Sequence, residues 1–326
     1  MNIGKTSLKW GVMLAPMAGY TDRAMRLVCH EMGAEYTVTE MVSATAVAYG
    51  DKKTFSLARI LPDEGPVALQ IFGSEPAVMA EAARVLSEPR EGAAPVAIDI
   101  NMGCPVKKIF SNGEGSALMR NPAHIEKIVS AVRLATPLPV TVKLRSGIDE
   151  KNINAVECAL AAESGGASAV CIHGRTRVQM YGGTADRKII EKVKKSLQIP
   201  LFANGDILDA ESAVSMLRDT GADGIAVGRG AVGNPFIFSE ILASLEEREY
   251  SAPSFEEKIA TAEHQLTVAC LDKGEAVAIP EARKQIALYF RGFRGAAGAR
   301  AQINRAQTLC EVREVLAELL REQEEI

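Results

Sequence analysis

The sequence Pro95-Val-Ala-Ile-Asp-Ile-Asn-Met-Gly-Cys-Pro105 places polar groups directly after a short apolar run. The run is bounded by small residues and proline, which is typical of a buried strand. Asn101 and Cys104 therefore follow the carboxyl end of this strand, on a turn that a glycine and a proline favour. In parallel α/β barrels this end of the strands carries the chemistry. A thiol in that position can donate a proton to a reacting carbon.

Similar apolar runs recur along the chain at intervals of roughly 30 residues. The eight predicted strands are 11–15, 36–39, 67–71, 96–100, 140–144, 169–172, 201–203 and 224–227. All of them are too apolar to have one face in water, as expected of a parallel sheet that is buried on both sides.

Segments with helical apolar spacing separate these runs, and five of them are 76–86, 122–135, 153–164, 188–197 and 210–220. Ser74 and Asp209 are predicted to cap the first and the last of the five. Eight strand–helix units over about 240 residues predict a TIM (β/α)8 barrel. A doubly wound sheet is the alternative, but it normally contains fewer strands.

After Phe236 the chain has no strand-like run and is rich in Glu, Ala, Leu, Lys and Arg. Ser254 and Glu257 form a predicted capping box. Four glycines are predicted to divide the remainder into three to five helices: Gly274, Gly292, Gly295 and Gly298. The barrel's own last helix with a tail is one interpretation, but the length favours a separate all-α helical bundle. We predict two domains, residues 1–245 and residues 246–326.

Composition excludes several classes of protein. The 326 residues are 47% hydrophobic, enough for a large core, and the net charge of −4 argues against a uniformly basic nucleic-acid binder. No apolar run approaches the ~20 residues of a membrane span, and the start resembles no targeting segment. The six cysteines and four histidines show no spacing typical of a metal site. We expect a cytoplasmic protein with reduced thiols, no metal and no membrane partner.

One segment departs from the acidic average. Six positive charges lie within residues 283–305 with no Asp or Glu among them: Arg283, Lys284, Arg291, Arg294, Arg300 and Arg305. A run of charge is most often a solvated face. The alternative is a surface that contacts an anionic partner.

The predicted strands end in small or polar residues. In order they are Pro16, Met17 and Ala18; Glu40; Gln70; Asn101 and Cys104; Lys143 and Arg145; His173 and Arg175; Asn204, Gly205 and Asp206; and Gly228, Arg229 and Gly230. Any one of them could be a cap or a satisfied core group. Because the carboxyl ends of a barrel's strands meet at one rim, we expect a shared site.

The last two groups predict a phosphate site, since small residues let backbone N–H groups approach an anion and Arg229 adds charge. Gly228-x-Gly-x-x-Gly233 also matches the dinucleotide fingerprint. We reject that interpretation because no later strand carries an acidic residue for a ribose. Lys143 could form a Schiff base, bind a phosphate or lie beside a flavin. Cys104 and His173 could each be simple core residues.

Nine blocks of the barrel resemble the tRNA-dihydrouridine synthases, with the B-type bacterial branch as the best match. They are APMAGYTD (15–22), TEMVSA (39–44), QIFG (70–73), DINMGCP (99–105), NGEGSALM (112–119), VKLRSG (142–147), HGRT (173–176), ANGDI (203–207) and VGRGAVGNP (227–235). RKQIALYFRG (283–292) is similar to the helical-domain signature of that branch.

The resemblance implies an FMN-dependent enzyme that uses NADPH to reduce uridines in tRNA to dihydrouridine. FMN would be held by Pro16, Met17, Ala18, Gln70, Lys143, His173, Asn204, Gly205, Asp206, Gly228 and Arg229. The flavin would deliver hydride to the uracil β-carbon, and Cys104 would protonate the α-carbon from the opposite face. Predicted contacts with the tRNA are Asn101, Arg145, Arg175, Arg283, Lys284, Arg291 and Arg294. We expect a monomer.

Two other functions stay open at this point. One is an FMN-dependent barrel that acts on a free pyrimidine or a small enone. The other is a tRNA-binding protein without catalysis, although the set of Cys104, Lys143 and Asn204 argues against it.

Overall fold

The computed structural model describes residues 1–88 and 91–324. A short hairpin, β1 (Asn2–Ile3) and β2 (Thr6–Ser7), precedes the main sheet. The main sheet contains β3 (Val12–Leu14), β4 (Tyr36–Val38), β5 (Val42–Ser43), β6 (Val67–Phe72), β7 (Ala97–Asn101), β8 (Val140–Arg145), β9 (Ala169–His173), β10 (Leu201–Asn204) and β11 (Gly224–Val227).

Eight of these strands close into a parallel barrel. β4 pairs with β3 on one side and β6 on the other, and β11 pairs with β3, which completes the ring. β5 is a short addition beside the end of β6. Each predicted strand corresponds to one barrel strand, so the prediction of a TIM barrel is confirmed.

Helices surround the barrel. They are α1 (Arg23–Glu31), α2 (Ala44–Ala48), α3 (Lys52–Leu57), α4 (Pro76–Ser87), α5 (Lys107–Ser111), α6 (Pro122–Ala135), α7 (Ala155–Ser164), α8 (Arg187–Ser196), α9 (Ala210–Thr220) and α10 (Ile237–Leu245). Short 3₁₀ turns occupy Pro62–Glu64, Gly115–Arg120 and Arg229–Ala231.

One of the two caps predicted for the barrel helices is confirmed. Asp209 accepts a hydrogen bond from the backbone N–H of Ser212, and the Ser212 hydroxyl bonds back to the Asp209 N–H. The predicted Ser74 cap is wrong, because α4 begins at Pro76 and its N-cap residue, Glu75, makes no capping bond with its side chain. A proline at the first helical position already fixes φ and lacks an N–H that would need a partner.

The barrel interior is closed at its amino-terminal end. Ile3 and Leu8, from the hairpin and the residue after it, belong to one buried apolar cluster with Tyr36 and Phe202. Side chains alternate between the two faces of a strand, and the interior positions nearer the carboxyl ends carry polar residues such as Gln70, Lys143 and Asn204. The open end of the barrel therefore carries the polar groups of the predicted site.

A helical region follows the barrel: α11 (Phe255–Lys273), α12 (Glu275–Tyr289), α13 (Ala296–Ile303) and α14 (Leu309–Glu324). Its helices surround a second apolar cluster. The capping box of Ser254 and Glu257 is confirmed. The prediction that Gly298 breaks a helix is wrong, because this residue lies inside α13. Residues 325 and 326 of the predicted second domain lie outside the described residues.

The helical region packs against α1 of the barrel. Ala24 and Leu27 of α1 share an apolar cluster with Val268 and Ala269 of α11. Beside it, the Lys273 ammonium lies 2.6 Å from an Asp22 carboxylate oxygen. In the described part of the chain, no helix is both long and apolar enough to cross a membrane.

Candidate active site

A cavity of about 570 Å³ opens at the carboxyl ends of the barrel strands. This volume lies within the range of small-molecule and cofactor sites. Every residue predicted to hold the cofactor lines the cavity: Pro16, Met17, Ala18, Gln70, Lys143, His173, Asn204, Gly205, Asp206, Gly228 and Arg229. Asn101, Cys104 and Arg145 line the same cavity. The structure thus brings together side chains that are far apart in the sequence.

Arg175 lies away from the cavity wall. It is 2% exposed, and its guanidinium donates to the carbonyl oxygens of Gly182 (3.0 Å) and Gly183 (2.6 Å). The same group pairs with Asp206 at 2.7 Å. In this structure Arg175 fixes the loop that follows β9, and its contact with a nucleotide stays a prediction.

Several residues that line the cavity were not predicted from the sequence. Tyr181 lines the cavity with 55% of its surface exposed, and the Arg229 guanidinium lies 5.0 Å from its ring centroid. Tyr20 and Leu288 also line the cavity. Leu288 comes from α12 of the helical region, where no pattern distinguishes it from an ordinary core leucine.

The backbone around Cys104 is held on both sides. Its N–H donates to the Asn101 Oδ1 at 2.9 Å. Its carbonyl oxygen accepts a hydrogen bond from the Ser116 hydroxyl at 2.8 Å, and Ser116 is completely buried. The thiol is therefore attached to a fixed turn rather than to a free loop.

The Cys104 thiol keeps its proton at neutral pH. Burial raises its pKa, although the Val106 N–H and the charge of Arg145 act in the opposite direction. A thiol with a raised pKa is a poor nucleophile but a competent proton donor.

Glycine is needed beside this turn at position 115. Gly115 has φ +59°, and a β-carbon there would lie 3.0 Å from the Cys104 Cβ. Gly113, two residues earlier, also has a positive φ of +78°, but a β-carbon there would meet no atom within 4 Å.

We therefore expect Gly115→Ala to lower the free energy of unfolding by about 2–3 kcal/mol, through backbone strain and a steric clash. Gly113→Ala, the matched control, carries only the backbone strain, about 1 kcal/mol. Denaturant unfolding of both variants measures the difference. An equal decrease in the free energy of unfolding for the two variants would show that the contact with Cys104 does not contribute to the destabilisation.

Lys143 lies at the centre of the cavity's polar wall. Its ammonium donates to the Asn204 Oδ1 at 2.9 Å, and the Asn204 Nδ2 donates to the Ala226 carbonyl oxygen at 2.7 Å. Burial lowers the pKa of Lys143. The Asn204 amide is thus oriented by Lys143 of β8 and by the backbone of β11.

His173 has a free ring nitrogen. Its Nε2 is buried and has no hydrogen-bond partner within residues 1–88 and 91–324. Burial, together with the charges of Lys143 and Arg145, lowers its pKa to about 2, so the ring is neutral. A buried polar atom without a partner in the protein is a fit for a ligand that supplies one.

The turns after β10 and β11 form a second polar wall. Asp206 has φ +54° and pairs with Arg229 at 3.2 Å as well as with Arg175. Gly205 has φ +123°, and a β-carbon there would lie 2.6 Å from the Ala185 Cβ. Backbone and one exposed guanidinium therefore face the cavity here, an arrangement suited to an anion.

The predicted basic residues of the segment 283–305 do not line the cavity. Lys284, Arg291 and Arg294 are exposed, and the Lys284 ammonium lies 4.5 Å from the ring centroid of Tyr20. Arg283 is half-buried and donates to the Ala306 carbonyl oxygen at 2.7 Å. Lys284 thus lies on α12, the helix that also reaches the cavity through Leu288, and Arg291 and Arg294 lie in the turn that follows this helix.

Comparison with known proteins gives a consistent result. The family model described as "Dihydrouridine synthase (Dus)" matches residues 13–324. A probable tRNA-dihydrouridine synthase of Rickettsia conorii is 41% identical over 322 residues, covering 98% of this chain and 96% of the relative. One from Treponema pallidum is 40% identical, covering 90% and 88%. The tRNA-dihydrouridine synthase B of Pseudomonas aeruginosa is 40% identical, covering 94% and 92%.

Proposed function

The chain belongs to the dihydrouridine synthase family, and we propose that it reduces uridines in tRNA to 5,6-dihydrouridine with FMN as cofactor and NADPH as reductant. Enzymes with this activity are oxidoreductases that act on CH–CH groups. The observation that carries the proposal is the cavity itself, where the protonated Cys104 thiol shares one space with Lys143 and His173.

The residues of the cavity suit FMN. The unpartnered His173 Nε2 offers a polar partner to a flavin ring, and Gln70 and Asn204 line the same cavity. The turn at Gly228 and Arg229 offers backbone N–H groups and a cation to its phosphate. When bound, FMN would supply hydride for the uracil ring after its reduction by NADPH.

The chain's own residues perform the acid–base part of the reaction. The Cys104 Sγ donates its proton to the uracil carbon that does not receive the hydride. Arg145 stabilises the thiolate that remains, because its guanidinium is buried near Cys104 and donates to the Gly103 carbonyl oxygen at 2.9 Å. Lys143 lines the cavity and would supply a positive charge to the electron-rich ring of a reduced flavin.

A uridine in folded tRNA must leave its stack to enter this cavity, at a cost of a few kcal/mol. Contacts between cations and phosphates offset such costs. We propose that residues 246–326 form a tRNA-binding domain, with Lys284, Arg291 and Arg294 on its exposed surface. The position of Leu288 on the cavity wall supports a tRNA that spans both parts of the chain.

The pH dependence follows from the Cys104 thiol. A proton donor whose pKa is raised stays competent at low and neutral pH and loses its proton as pH rises through that value. We expect the transfer from reduced enzyme to tRNA to be constant through neutral pH and to fall only above about 8.5, the ordinary thiol value.

Stopped-flow oxidation of the reduced enzyme by tRNA measures this profile. Burial also lowers the pKa of Lys143, so reduction by NADPH at the same pH values serves as the reference. A fall in the tRNA step between pH 6 and 8 would contradict the assignment of Cys104.

The function itself is tested with tRNA from a strain that lacks dihydrouridine. The FMN-loaded protein with NADPH should form dihydrouridine in this tRNA and leave free uridine unchanged. Reduction of free uridine alone would favour a barrel that acts on small molecules. Binding of tRNA without flavin or turnover would favour a non-catalytic tRNA-binding protein.

A further inference from the structure

A chain of hydrogen bonds runs from a buried carboxylate to the turn of Cys104. Asp99 is 4% exposed, and its two oxygens accept from the Thr141 hydroxyl (2.5 Å) and the Gln70 Nε2 (2.7 Å). The Gln70 Oε1 accepts from the Asn101 Nδ2 at 2.9 Å. The Asn101 Oδ1 then accepts from the Cys104 N–H at 2.9 Å. The chain thus connects the barrel interior to the proposed proton donor.

The order of donors and acceptors in this chain is set at its buried end. Burial raises the pKa of Asp99, although the hydrogen bonds from Gln70 and Thr141 and the charge of Lys143 act in the opposite direction. The Asp99 oxygen that faces Gln70 accepts a hydrogen bond, so Gln70 must turn its NH₂ group towards Asp99. The Gln70 oxygen then faces Asn101, which must donate. The Asn101 oxygen is left for the backbone N–H groups of Cys104 and Gly103, which lie 2.9 and 3.2 Å away.

We propose that Asp99 is a positioning residue: it fixes the amide orientations of Gln70 and Asn101 and thereby holds the backbone turn that carries Cys104. Asp99 itself does not line the cavity. The consequence of this positioning role for catalysis rests on the proposed function, whereas the effect of Asp99 on the Cys104 turn does not depend on it.

The amide groups explain why an anchor is needed. Amide oxygen and nitrogen have nearly the same shape, so packing alone does not choose between the two orientations of Gln70 or Asn101. Without Asp99 both amides can rotate, and the Asn101 NH₂ group then meets the Cys104 N–H, donor against donor. The turn opens, and the thiol becomes more exposed than in the parent, where 9% of Cys104 is accessible.

Alkylation of Cys104 tests this without flavin or tRNA. The full-length chain is treated with iodoacetamide, and the modification of each cysteine peptide is followed by mass spectrometry, with the exposed Cys310 as internal reference. Asp99→Ala should increase the rate at Cys104 by about tenfold, the factor that corresponds to one lost buried hydrogen bond.

Two variants separate the hydrogen-bond chain from general loosening. In Asp99→Asn the Cys104 N–H, which can only donate, still selects the order of donors and acceptors, and the new amide can accept from Gln70 and donate to the Thr141 hydroxyl. Cys104 should therefore react within about twofold of the parent rate. Ser87→Ala is the matched control, because it removes a buried hydroxyl that bonds the Ala83 carbonyl oxygen in α4. It should leave the Cys104 rate at the parent value.

If Asp99→Ala does not fold, Gln70→Met breaks the next link and should give the same increase. The proposal is overturned if Cys104 reacts at the parent rate in Asp99→Ala, or in Gln70→Met where Asp99→Ala does not fold. It is also overturned if Asp99→Asn reacts as fast as Asp99→Ala, or if Ser87→Ala gives the same increase.

A second readout concerns catalysis: in FMN-loaded Asp99→Ala, oxidation by tRNA should slow by about 10–100-fold. In Asp99→Asn it should recover.

The two readouts distinguish the failure of this proposal from that of the proposed function. If Asp99→Ala raises the alkylation rate of Cys104 but tRNA does not oxidise the reduced parent enzyme, the proposed function is refuted and the positioning role is retained. If the parent enzyme is active on tRNA but Asp99→Ala leaves the alkylation rate of Cys104 unchanged, only the positioning role is refuted.

Discussion

Replacing Cys104 by alanine is expected to slow dihydrouridine formation by a factor of about 10²–10⁴, the contribution of a positioned general acid. The binding of FMN and its reduction by NADPH should persist, because the residues proposed for the flavin are separate from the thiol. The variant should therefore accumulate reduced flavin when both NADPH and tRNA are present. Flavin absorbance and dihydrouridine content of the tRNA measure the two halves separately.

Cys158→Ala is the matched control for this variant. Cys158 is also a buried free cysteine, but it lies in α7 and contacts the Met119 carbonyl oxygen rather than the cavity. We expect it to modify tRNA at the parent rate. Normal modification of tRNA by Cys104→Ala would show that another group donates the proton.

Reversing two exposed charges of the helical region should weaken tRNA binding strongly. We expect Arg291→Glu with Arg294→Glu to raise the Kd for tRNA by about 10–100-fold at physiological salt, since two cation–phosphate contacts become repulsive. The slope of log Kd against log salt should fall by about two. NADPH reduction of the flavin should be unchanged, because neither residue lines the cavity.

The control carries the same change of net charge elsewhere. Arg84 in α4 and Arg218 in α9 are exposed residues of helices around the barrel. Arg84→Glu with Arg218→Glu should leave the Kd within about threefold of the parent value, because distant charges are screened. Equal weakening by the two double variants would assign the effect to net charge and not to the helical region.

The sequence predicts best those features that follow from a local pattern of residues. Each barrel strand is a short apolar run, and parallel strands place their carboxyl ends at one rim, so the convergence of Gln70, Lys143, His173 and Asn204 was predictable. The N-cap at Asp209 was predictable for a similar reason, since an Asp directly before a helix can accept a hydrogen bond from a backbone N–H of the first turn.

Features that depend on three-dimensional neighbours were not predictable. Arg175 and Arg145 both follow rim motifs, yet Arg175 turns into the protein towards Gly182 and Asp206. Asp99 lies only two residues before Asn101, but its role depends on Thr141 and Gln70 from adjacent strands. Leu288 reaches the cavity because α12 packs against the turn at Gly233, a contact between residues 55 positions apart.

A single-turnover experiment tests the central claim most directly. The FMN-loaded protein is reduced with NADPH without oxygen, freed of excess NADPH and mixed with tRNA that lacks dihydrouridine. We predict that the flavin is oxidised and that one dihydrouridine forms for each flavin oxidised. A protein that binds no FMN, or a reduced flavin that tRNA leaves unchanged, would contradict the account.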